Sequence, residues 1–512
     1  MQNQYDVAIL GSSFSGSILA AVLASQGLRV LMLDRGQHPR FAIGESSTPT
    51  ADFLLEAIAK RWHLTKLLPL ARWGTWQQHY PQVTAGKKRG FSYFTHSTAQ
   101  PFVDTPSNSN SLLVAASASD ALSDTHWLRS EVDQFLFHHA QDLGVDTFES
   151  CDLIELTRPG AWYLRWCTRS DHSTISGEAH ATWLIDSTGT GGVLARAAGL
   201  QANDEQLLTQ TGAIFSHFEG IASWDELQNR AGNLSTVQPF HSDDAAQHHL
   251  MHEGWMWMLR FSNGLTSVGI VQPSQYWSDK KVDAAQLQPT WDLELSRFPS
   301  IRSMFERARM RQPLRFQARL SRIWSAASGD GWAMLPTTAG FVDPLHSSGI
   351  AHALSGVYRI ADMLLEETTD AEAWKQYGLD VLDEVRWIDQ LVSSCYTVLP
   401  DFELFCMAAN FYFLSAIDAE KDFSESSQRL SLHDSSVKPP SFLSCQKRPL
   451  RNAIEQSIRE LRQIKPPHGG LVSSQVRQQW LQETKERLQP WNHADLGNIA
   501  ARNRFARSAA NK

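Results

Sequence analysis

The first 34 residues restrict the fold of this chain more than any other stretch. They comprise an apolar segment YDVAIL, a glycine turn GSSFSG, a longer apolar segment SILAAVLASQGL and a second short apolar segment RVLMLD. This pattern predicts a strand, a turn, a helix and a second strand, and two strands joined by a helix run parallel. The unit is therefore half of a Rossmann-type nucleotide-binding fold.

The turn departs from the dinucleotide fingerprint GxGxxG at one position. Gly11 and Gly16 stand at the first and last glycine positions, but Ser13 stands at the second, where the backbone approaches a pyrophosphate. Asp34 ends the second strand, where an acid binds the ribose hydroxyls. No second fingerprint follows, so we predict one bound dinucleotide, FAD. A Rossmann-like core without nucleotide is the alternative.

The composition excludes several classes of function. A net charge of -8 argues against a nucleic-acid partner, and five scattered cysteines without CxxC spacing argue for a reducing compartment and against a metal site. No basic region precedes the first apolar run, and the apolar runs near the N-terminus are shorter than a membrane span. We therefore expect a cytoplasmic protein without stable membrane insertion. The length of 512 residues predicts two to four lobes.

Two polar segments follow the nucleotide turn. GESSTP, residues 44–49, is a polar turn before an amphipathic helix, and residues 126–145 read as a helix that carries Arg129. An arginine on such a helix either binds an anion or forms a surface ion pair.

Two further segments place an acidic residue next to a turn. A strand over residues 181–186 ends at Asp186 before a glycine-rich turn. Residues 331–364 read as strand, turn and helix, with Asp343 before the segment Ser347–Gly349 at the start of the helix. The N–H groups at a helix start favour an anion, although Asp343 alone is equally consistent with a helix cap.

The segment EGWMWMLRF, residues 253–261, reads as a buried strand with two tryptophans. Trp255 and Trp257 are two positions apart, so both indoles point to the same face of the strand. They form either ordinary core or the wall of a cavity. The total of 18 tryptophans fits an aromatic interior but does not decide between the two.

Together, these segments resemble the flavin-dependent halogenase family, which includes the tryptophan halogenases, within the wider FAD monooxygenase fold. The glycine turn, GESSTP, KKRGFSYF, the Trp-x-Trp strand and DPLHSSGI follow in the family's order and span residues 7–365. The resemblance implies an α/β fold with α+β elements: a Rossmann-type FAD-binding domain over residues 1–365, into which a substrate-covering sheet is inserted at about 80–125 and 205–325. Residues 366–512 are expected to be mainly helical, and the Ser- and Pro-rich residues 422–450 to be a flexible segment.

The resemblance also implies roles for individual residues. Arg129 matches the arginine that supports the FAD phosphates, and Asp343 the acid near the ribityl chain. Trp255 and Trp257 match the wall between flavin and substrate, and the halide site matches Ser347, Ser348 and Gly349. The residues implied in FAD binding are Gly11, Ser13, Phe14, Ser15, Gly16, Asp34, Arg35, Glu45, Ser46, Arg129, Asp186, Asp343, Gly349 and Ile350.

Lys88 is the expected catalytic residue, because Lys88-Arg89-Gly90 matches the family's K-x-G context. In the family, externally reduced FAD, O2 and halide yield hypohalous acid, and the lysine presents the halogen to an electron-rich ring. A separate flavin reductase is implied as partner, and the substrate is a free or carrier-bound aromatic. Without the other motifs, a Lys-Lys-Arg run is typical of a solvated basic patch.

Two positions depart from the family pattern. His346 stands where tryptophan halogenases carry a glutamate that assists the lysine, and a histidine exchanges protons near neutral pH or merely caps the loop. This change argues against free tryptophan as substrate. Arg260 stands where the family's strand ends in proline, so the strand end is expected to differ.

Two other functions stay open from the sequence. An FAD-dependent monooxygenase that hydroxylates an aromatic, including one on a protein or carrier, fits the loss of the glutamate and the proline. A flavin-binding relic or maturation partner fits Ser13 in the glycine turn. The sequence does not predict the oligomeric state.

Overall fold

The computed structural model describes residues 4–158, 160–170, 173–233, 238–368, 370–431, 439–464 and 472–506. The strands, in chain order, are β1 Gln4–Leu10, β2 Val30–Leu33, β3 Ala85–Lys88, β4 Gly90–Thr95, β5 Ser111–Ala115, β6 Asp124–Trp127, β7 Asp146–Phe148, β8 Cys151–Thr157, β9 Trp162–Ser170, β10 Ser173–Asp186, β11 Thr211–Glu219, β12 Ala246–Leu250, β13 Trp255–Arg260, β14 Leu265–Pro273, β15 Arg309–Met310, β16 Arg315–Gln317, β17 Arg322–Ile323, β18 Ser328–Gly329, β19 Trp332–Met334, β20 Gly340–Phe341 and β21 Arg504–Phe505. The α-helices are α1 Phe14–Ser25, α2 Pro49–Arg61, α3 Trp73–His79, α4 Arg129–Asp142, α5 Val193–Ala197, α6 Trp224–Arg230, α7 Ser274–Asp279, α8 Leu287–Ser296, α9 Pro299–Met304, α10 Pro336–Ala339, α11 Gly349–Leu365, α12 Ala371–Val398, α13 Phe402–Ser431, α14 Arg448–Ile464 and α15 Ser474–Leu488.

The first sheet confirms the predicted Rossmann-type unit. Its parallel strands lie in the order β19-β10-β1-β2-β7, and β8, β9 and β18 pair antiparallel at its margins. Helix α1 joins β1 to β2 and packs against α4 and α11. Because the sheet is covered by helices, β1 and β2 are apolar without alternation and their central residues are buried. The carboxyl ends of β1 and β10 therefore meet at one edge, where the glycine turn lies.

The second sheet has nine strands, drawn mainly from residues 90–115 and 211–317. Its order is β15-β11-β14-β13-β12-β4-β5-β21, with β16 also beside β11. Side chains alternate between two apolar cores: Trp255 and Trp257 lie in the main core of the protein, while Met256 and Met258 lie in a second core with α7–α9. This alternation confirms that the two indoles share one face of a strand.

Long helices from the C-terminal part of the chain pack over the first sheet and the main core. Helix α13 packs against α2 and α12, and its segment Phe402–Ser426 is long and apolar enough to cross a membrane by length and composition. However, 94% of its most apolar window is buried inside the fold, as in a core helix of a packed protein. The division of the chain into domains stays a prediction.

The expected loop from residue 422 is wrong in its first part. Residues 422–431 continue α13, and Phe423 is buried because the apolar stripe of the helix extends to it. After residues 432–438, which lie outside the described residues, Lys447 binds Asp418 of α13 at 2.8 Å and α14 begins at Arg448. Ser and Pro content alone therefore misplaced the end of the helix.

Candidate active site

The glycine turn connects the end of β1 to α1. Gly11 has a φ of +97°, and a Cβ there would lie 2.6 Å from the carbonyl oxygen of Ser187. A Cβ on Gly16 would lie 2.2 Å from the carbonyl oxygen of Gly11. Only glycine fits both positions, as the fingerprint requires. Ser13 is the N-cap residue of α1, and its hydroxyl lies 3.2 Å from that of Ser15.

Asp34, at the end of β2, is held by groups of the chain itself. Its Oδ2 accepts hydrogen bonds from the N–H and the hydroxyl of Ser12 at 2.7 and 2.8 Å and from Arg40 at 3.1 Å. Burial opposes ionisation, but Arg40 and the Ser12 N–H together outweigh it and lower the pKa of Asp34. Its Oδ1 accepts one bond, from Gly36 at 2.7 Å, so acceptor capacity is left for a ribose hydroxyl. The neighbouring Arg35 is exposed.

Arg129 is buried at the start of α4 and supports the segment before GESSTP. It donates to both carboxylate oxygens of Asp133 at 2.7 and 2.9 Å and to the carbonyl oxygens of Ile43 and Gly44 at 2.9 and 3.1 Å. Its guanidinium also lies 4.6 Å from the ring centroid of Phe14. These contacts fix the loop, and the phosphate contact implied by the resemblance stays a prediction.

The GESSTP turn offers buried polar groups to a ligand. Glu45 is buried, and its Oε1 accepts a hydrogen bond from Nε2 of His217 at 2.8 Å. The hydroxyls of Ser46 and Thr48 are buried without a hydrogen-bond partner among the described residues. An unsatisfied buried hydroxyl costs about 1–3 kcal/mol, so a bound ligand with polar atoms would stabilise this turn. Together with the glycine geometry, these hydroxyls fit a dinucleotide such as FAD.

Asp186 ends β10 beside the end of β1. Its carboxylate accepts from the N–H and hydroxyl of Thr188 at 2.8 and 2.6 Å and from the N–H of Leu194 at 2.8 Å. Burial raises the pKa of Asp186 despite these donors. The carboxylate thus shapes the second turn at the edge of the sheet, and its own contact with FAD stays a prediction.

A chain of hydrogen bonds links the tryptophan strand to Asp343. The indole Nε1 of Trp255 donates to the hydroxyl of Tyr396 at 2.7 Å, and that hydroxyl donates to Oδ2 of Asp343 at 3.0 Å. The hydroxyl of Thr211 donates to the same carboxylate at 2.6 Å. Burial raises the pKa of Asp343 to about 6. Sequence patterns gave no sign of Tyr396, which comes from α12.

The predicted halide loop lies directly before α11. Ser347 has a φ of +55°, Ser348 is the N-cap residue of α11, and Gly349 is its first residue. A small cavity adjoins this point and is lined in part by Asp343, Ser348 and Gly349. Ile350 is buried in the main core. The helix start can bind an anion through its N–H groups, but the halide itself stays a prediction.

Lys88 is fully buried at the end of β3. Its ammonium donates to the carbonyl oxygen of Ser47 in the GESSTP turn and lies 4.1 Å from the ring centroid of Phe91. The neighbouring Lys87 instead forms ion pairs at the surface with Asp120 and Asp244 at 2.6 and 2.9 Å. The two lysines of the run therefore have opposite environments, and only Lys88 faces the interior.

Burial lowers the pKa of Lys88 to about 8, although three carboxylates oppose the shift. Asp124 lies directly across the β3–β6 pair from Lys88, and Asp52 and Glu420 come from α2 and α13. None of the three was singled out from the sequence, since they are far apart in the chain. At pH 7 the amine is about nine-tenths protonated, which makes it a hydrogen-bond donor with a ready neutral form.

His346 is buried and stacked in the interior of the protein. Its ring lies 4.4 Å from that of Tyr412 at an angle of 7°, and its Nε2 lies 3.6 Å from Sγ of Cys395. Burial lowers its pKa to about 3, assisted by His248. This environment favours the neutral imidazole, and the catalytic role expected of His346 stays a prediction.

An aromatic layer surrounds Lys88 and the tryptophan strand. His248 on β12 lies between Tyr93 on β4 and Trp255, with ring centroids 4.4 and 5.1 Å away. Phe413 of α13 packs 5.2 Å from Phe91, the ring beneath the Lys88 ammonium. Trp255 is thus both part of the core and part of this layer. Helix α13 of the C-terminal region therefore contributes to this layer.

Arg260 takes a defined role where the family pattern has proline. Its guanidinium donates to Oδ1 of Asp243 at 2.8 Å and to the carbonyl oxygens of Ile221 and Ala222 at 3.1 and 2.6 Å. It therefore ties the end of β13 to the segments before α6 and β12. These partners belong to the scaffold and not to the layer around Lys88.

The nucleotide turn at the sheet edge and the second sheet above it define an FAD-dependent oxidoreductase. The family model for tryptophan halogenase matches residues 125–401, more than half of the chain. The chain belongs to this family of flavin-dependent halogenases, enzymes that use FAD with O2 and halide.

Curated relatives support the same family. Tetracycline 7-halogenase of Kitasatospora aureofaciens is 27% identical over 420 residues, which cover 78% of this chain and 71% of that protein. Monodechloroaminopyrrolnitrin halogenase PrnC of Pseudomonas fluorescens is 27% identical over 419 residues, covering 78% and 69%. A 1H-pyrrole-2-carbonyl-[peptidyl-carrier protein] chlorinase of Pseudomonas fluorescens is 24% identical over 367 residues, covering 70% and 75%.

Solved structures confirm the fold. Halogenase PltM superposes with a TM-score of 0.84 at 24% identity, covering 98% of this chain and 99% of PltM. The flavin-dependent brominase Bmp2 has a TM-score of 0.62 at 19% identity, covering 89% and 100%.

Proposed function

We propose that this enzyme halogenates an electron-rich aromatic, a phenol, pyrrole or indole, with hypohalous acid positioned by Lys88. The observation that carries the proposal is the buried Lys88 ammonium, held by Ser47 and placed over Phe91 inside the aromatic layer. Bound FAD, reduced and supplied with O2 and halide, provides the oxidant. The residues proposed to hold it are those of the glycine turn, Asp34 and the GESSTP turn.

Lys88 acts on the oxidant in one of two ways that its pKa of about 8 permits. The ammonium donates a hydrogen bond to the oxygen of hypohalous acid and so makes the halogen more electrophilic. The neutral amine instead takes the halogen and forms a haloamine. In both cases the ring gains the halogen and loses a proton, and the hydroxide released from the acid becomes water.

The aromatic layer excludes water from this step. Phe91 lies beneath the lysine ammonium, His248 and then Trp255 continue the layer from it, and all three are buried. Such surfaces suit a flat, electron-rich ring and disfavour hydrolysis of the oxidant. We propose that Trp255 and Trp257 keep the substrate from the flavin, while the Ser347–Gly349 loop holds the halide.

We further propose that a separate reductase supplies reduced flavin and that the enzyme acts in the cytoplasm. The similarity to a pyrrole-carbonyl-[peptidyl-carrier protein] chlorinase at 24% identity and to tetracycline 7-halogenase at 27% is the reason for assaying both free and carrier-bound substrates.

The test supplies the purified enzyme with a flavin reductase, NADH, FAD, O2 and bromide, together with phenols, pyrroles and indoles in free and carrier-bound form. We expect a brominated product that disappears in Lys88→Met and persists in Lys87→Met, the adjacent surface lysine. Bromination that survives Lys88→Met would contradict the proposed role of the lysine. An oxygenated product formed equally without bromide would instead support hydroxylation.

A further inference from the structure

A basic strip lies on the edge strands of the nine-stranded sheet. Six arginines fall between residues 302 and 319, although the whole chain has a net charge of -8. The three on or beside β15 and β16, here called the arginine rim, are all exposed: Arg309, Arg311 and Arg315. Arg311 pairs with Glu219 at 3.2 Å, and the described residues provide no ion-pair partner for the other two.

The strand register places this rim on the face that holds the GESSTP turn. Arg315 pairs with Phe215 of β11, and Arg309 pairs with Glu219 of the same strand. Residues directly opposite each other share a face, as do residues two apart. His217 lies between these two positions on β11, and its ring binds Glu45 of GESSTP. The rim therefore borders the proposed FAD site.

Direct contacts extend the rim toward the nucleotide turn. The Arg315 guanidinium lies 4.3 Å from the ring centroid of Phe41. Phe41 directly follows Arg40, whose guanidinium is 3.1 Å from Asp34 at the end of β2. Phe41 and Arg40 thus connect the rim at the sheet edge to the place where the dinucleotide is proposed to bind.

We propose that the arginine rim is an outer anion site that attracts the pyrophosphate of FAD and guides the dinucleotide into the glycine turn. The pyrophosphate carries about two negative charges, opposite in sign to the three guanidinium groups of the rim. Exposed charges act over roughly 8 Å at physiological ionic strength, so such a rim raises the association rate and leaves the bound complex largely unchanged. This inference rests on the proposed FAD site.

The test measures association and dissociation rates of oxidised FAD with the flavin-free full-length chain, by stopped-flow flavin fluorescence at several salt concentrations. The variant Arg309→Gln/Arg311→Gln/Arg315→Gln is compared with Arg230→Gln/Arg448→Gln/Arg459→Gln, which removes three exposed arginines of α6 and α14. Riboflavin, which lacks phosphate, is the control ligand.

We expect FAD association with the rim variant to be slower by about three- to tenfold at low salt and to match the wild type at high salt. Dissociation should change by less than about twofold, and riboflavin should bind all three proteins at one rate. If both triple variants slow FAD association equally, net charge and not the rim is the cause, and the inference is overturned. If the rim variant slows riboflavin association as much as FAD association, the substitutions have disturbed the binding site, and the inference is overturned as well. If FAD association with the wild type does not depend on salt, the proposed role of the rim is overturned and the FAD site is not. If the wild type does not bind FAD, the proposed FAD site is overturned as well.

Discussion

Replacing Lys88 with methionine should abolish halogenation and yet stabilise the protein relative to the wild type as the pH is lowered. Lys88 is fully buried, and its pKa is lowered from 10.5 to about 8 by that burial. The folded chain therefore binds fewer protons than the unfolded chain between pH 8 and 10.5. Stability contributed by this group rises with pH across that window, by about 1.4 kcal/mol per unit.

The magnitude follows from the two pKa values. Below pH 8 both states are protonated, and the folded state bears the full cost of about 3 kcal/mol for a buried ammonium. Above pH 10.5 both states are neutral and the cost is absent. Lys88→Met removes the titrating group. The free energy of unfolding of the variant minus that of the wild type should therefore be about 2 kcal/mol larger at pH 7 than at pH 9.5.

Chemical unfolding of both proteins at pH 7, 8, 9 and 9.5 measures this difference. Lys87→Met is the control, since ion pairs with Asp120 and Asp244 outweigh burial and raise the pKa of Lys87. Its group contributes stability that is fully present below pH 10.5 and is lost only as the pH rises through the raised pKa, so the Lys87→Met difference should stay constant between pH 7 and 9.5. A Lys88→Met difference that does not vary with pH would refute the buried, depressed lysine on which the mechanism depends.

Four other substitutions test separate parts of the site. Tyr396→Phe removes the hydroxyl between Trp255 and Asp343 and should lower the free energy of unfolding by about 1–3 kcal/mol in thermal unfolding. The same variant should form less halogenated product for each halide ion that is oxidised. Trp255→Phe should change the ratio of halogenated products, measured by chromatography, and should leave flavin binding intact. Loss of flavin binding or of solubility would show that Trp255 serves only as part of the core. Arg260→Ala should destabilise by about 2–4 kcal/mol, since it leaves the mostly buried Asp243 without its cation, and should leave selectivity unchanged. His346→Asn should keep the wild-type pH profile of activity between pH 6 and 8, because the pKa of His346 is about 3; a lost inflection near pH 6.5 would contradict this.

Local patterns were sufficient for the nucleotide turn and the tryptophan strand. Gly11 and Gly16 are required by a positive φ and by close backbone approach, and both causes act within a few residues. The shared face of Trp255 and Trp257 follows from the two-residue period of a strand. Lys88, by contrast, was singled out only through the resemblance, because a Lys-Lys-Arg run by itself is typical of a solvated basic patch.

Other features depend on contacts between distant segments. Strand β12 lies parallel to β4, which brings His248 beside Tyr93 across more than 150 residues of sequence. Tyr396 reaches both Trp255 and Asp343 from α12. Neither contact has a local signal, because register between distant strands and helices is determined by packing. The helical residues 422–431 were missed for a similar reason, since tertiary contacts of α13 outweigh its Ser content.

Histidine in place of glutamate at position 346 alters the charge of the interior, because the imidazole is neutral and a glutamate would be negative. A glutamate there would introduce a buried negative charge beside Tyr412, whereas a neutral imidazole adds none. Three other carboxylates already act on the Lys88 ammonium, namely Asp124, Asp52 and Glu420, and each raises its pKa. Since desolvation still dominates and keeps that pKa near 8, a fourth carboxylate would raise it toward the value of a solvated lysine. The neutral, stacked His346 adds no charge to this set, so the lowered pKa of Lys88 is determined by its burial and these three carboxylates.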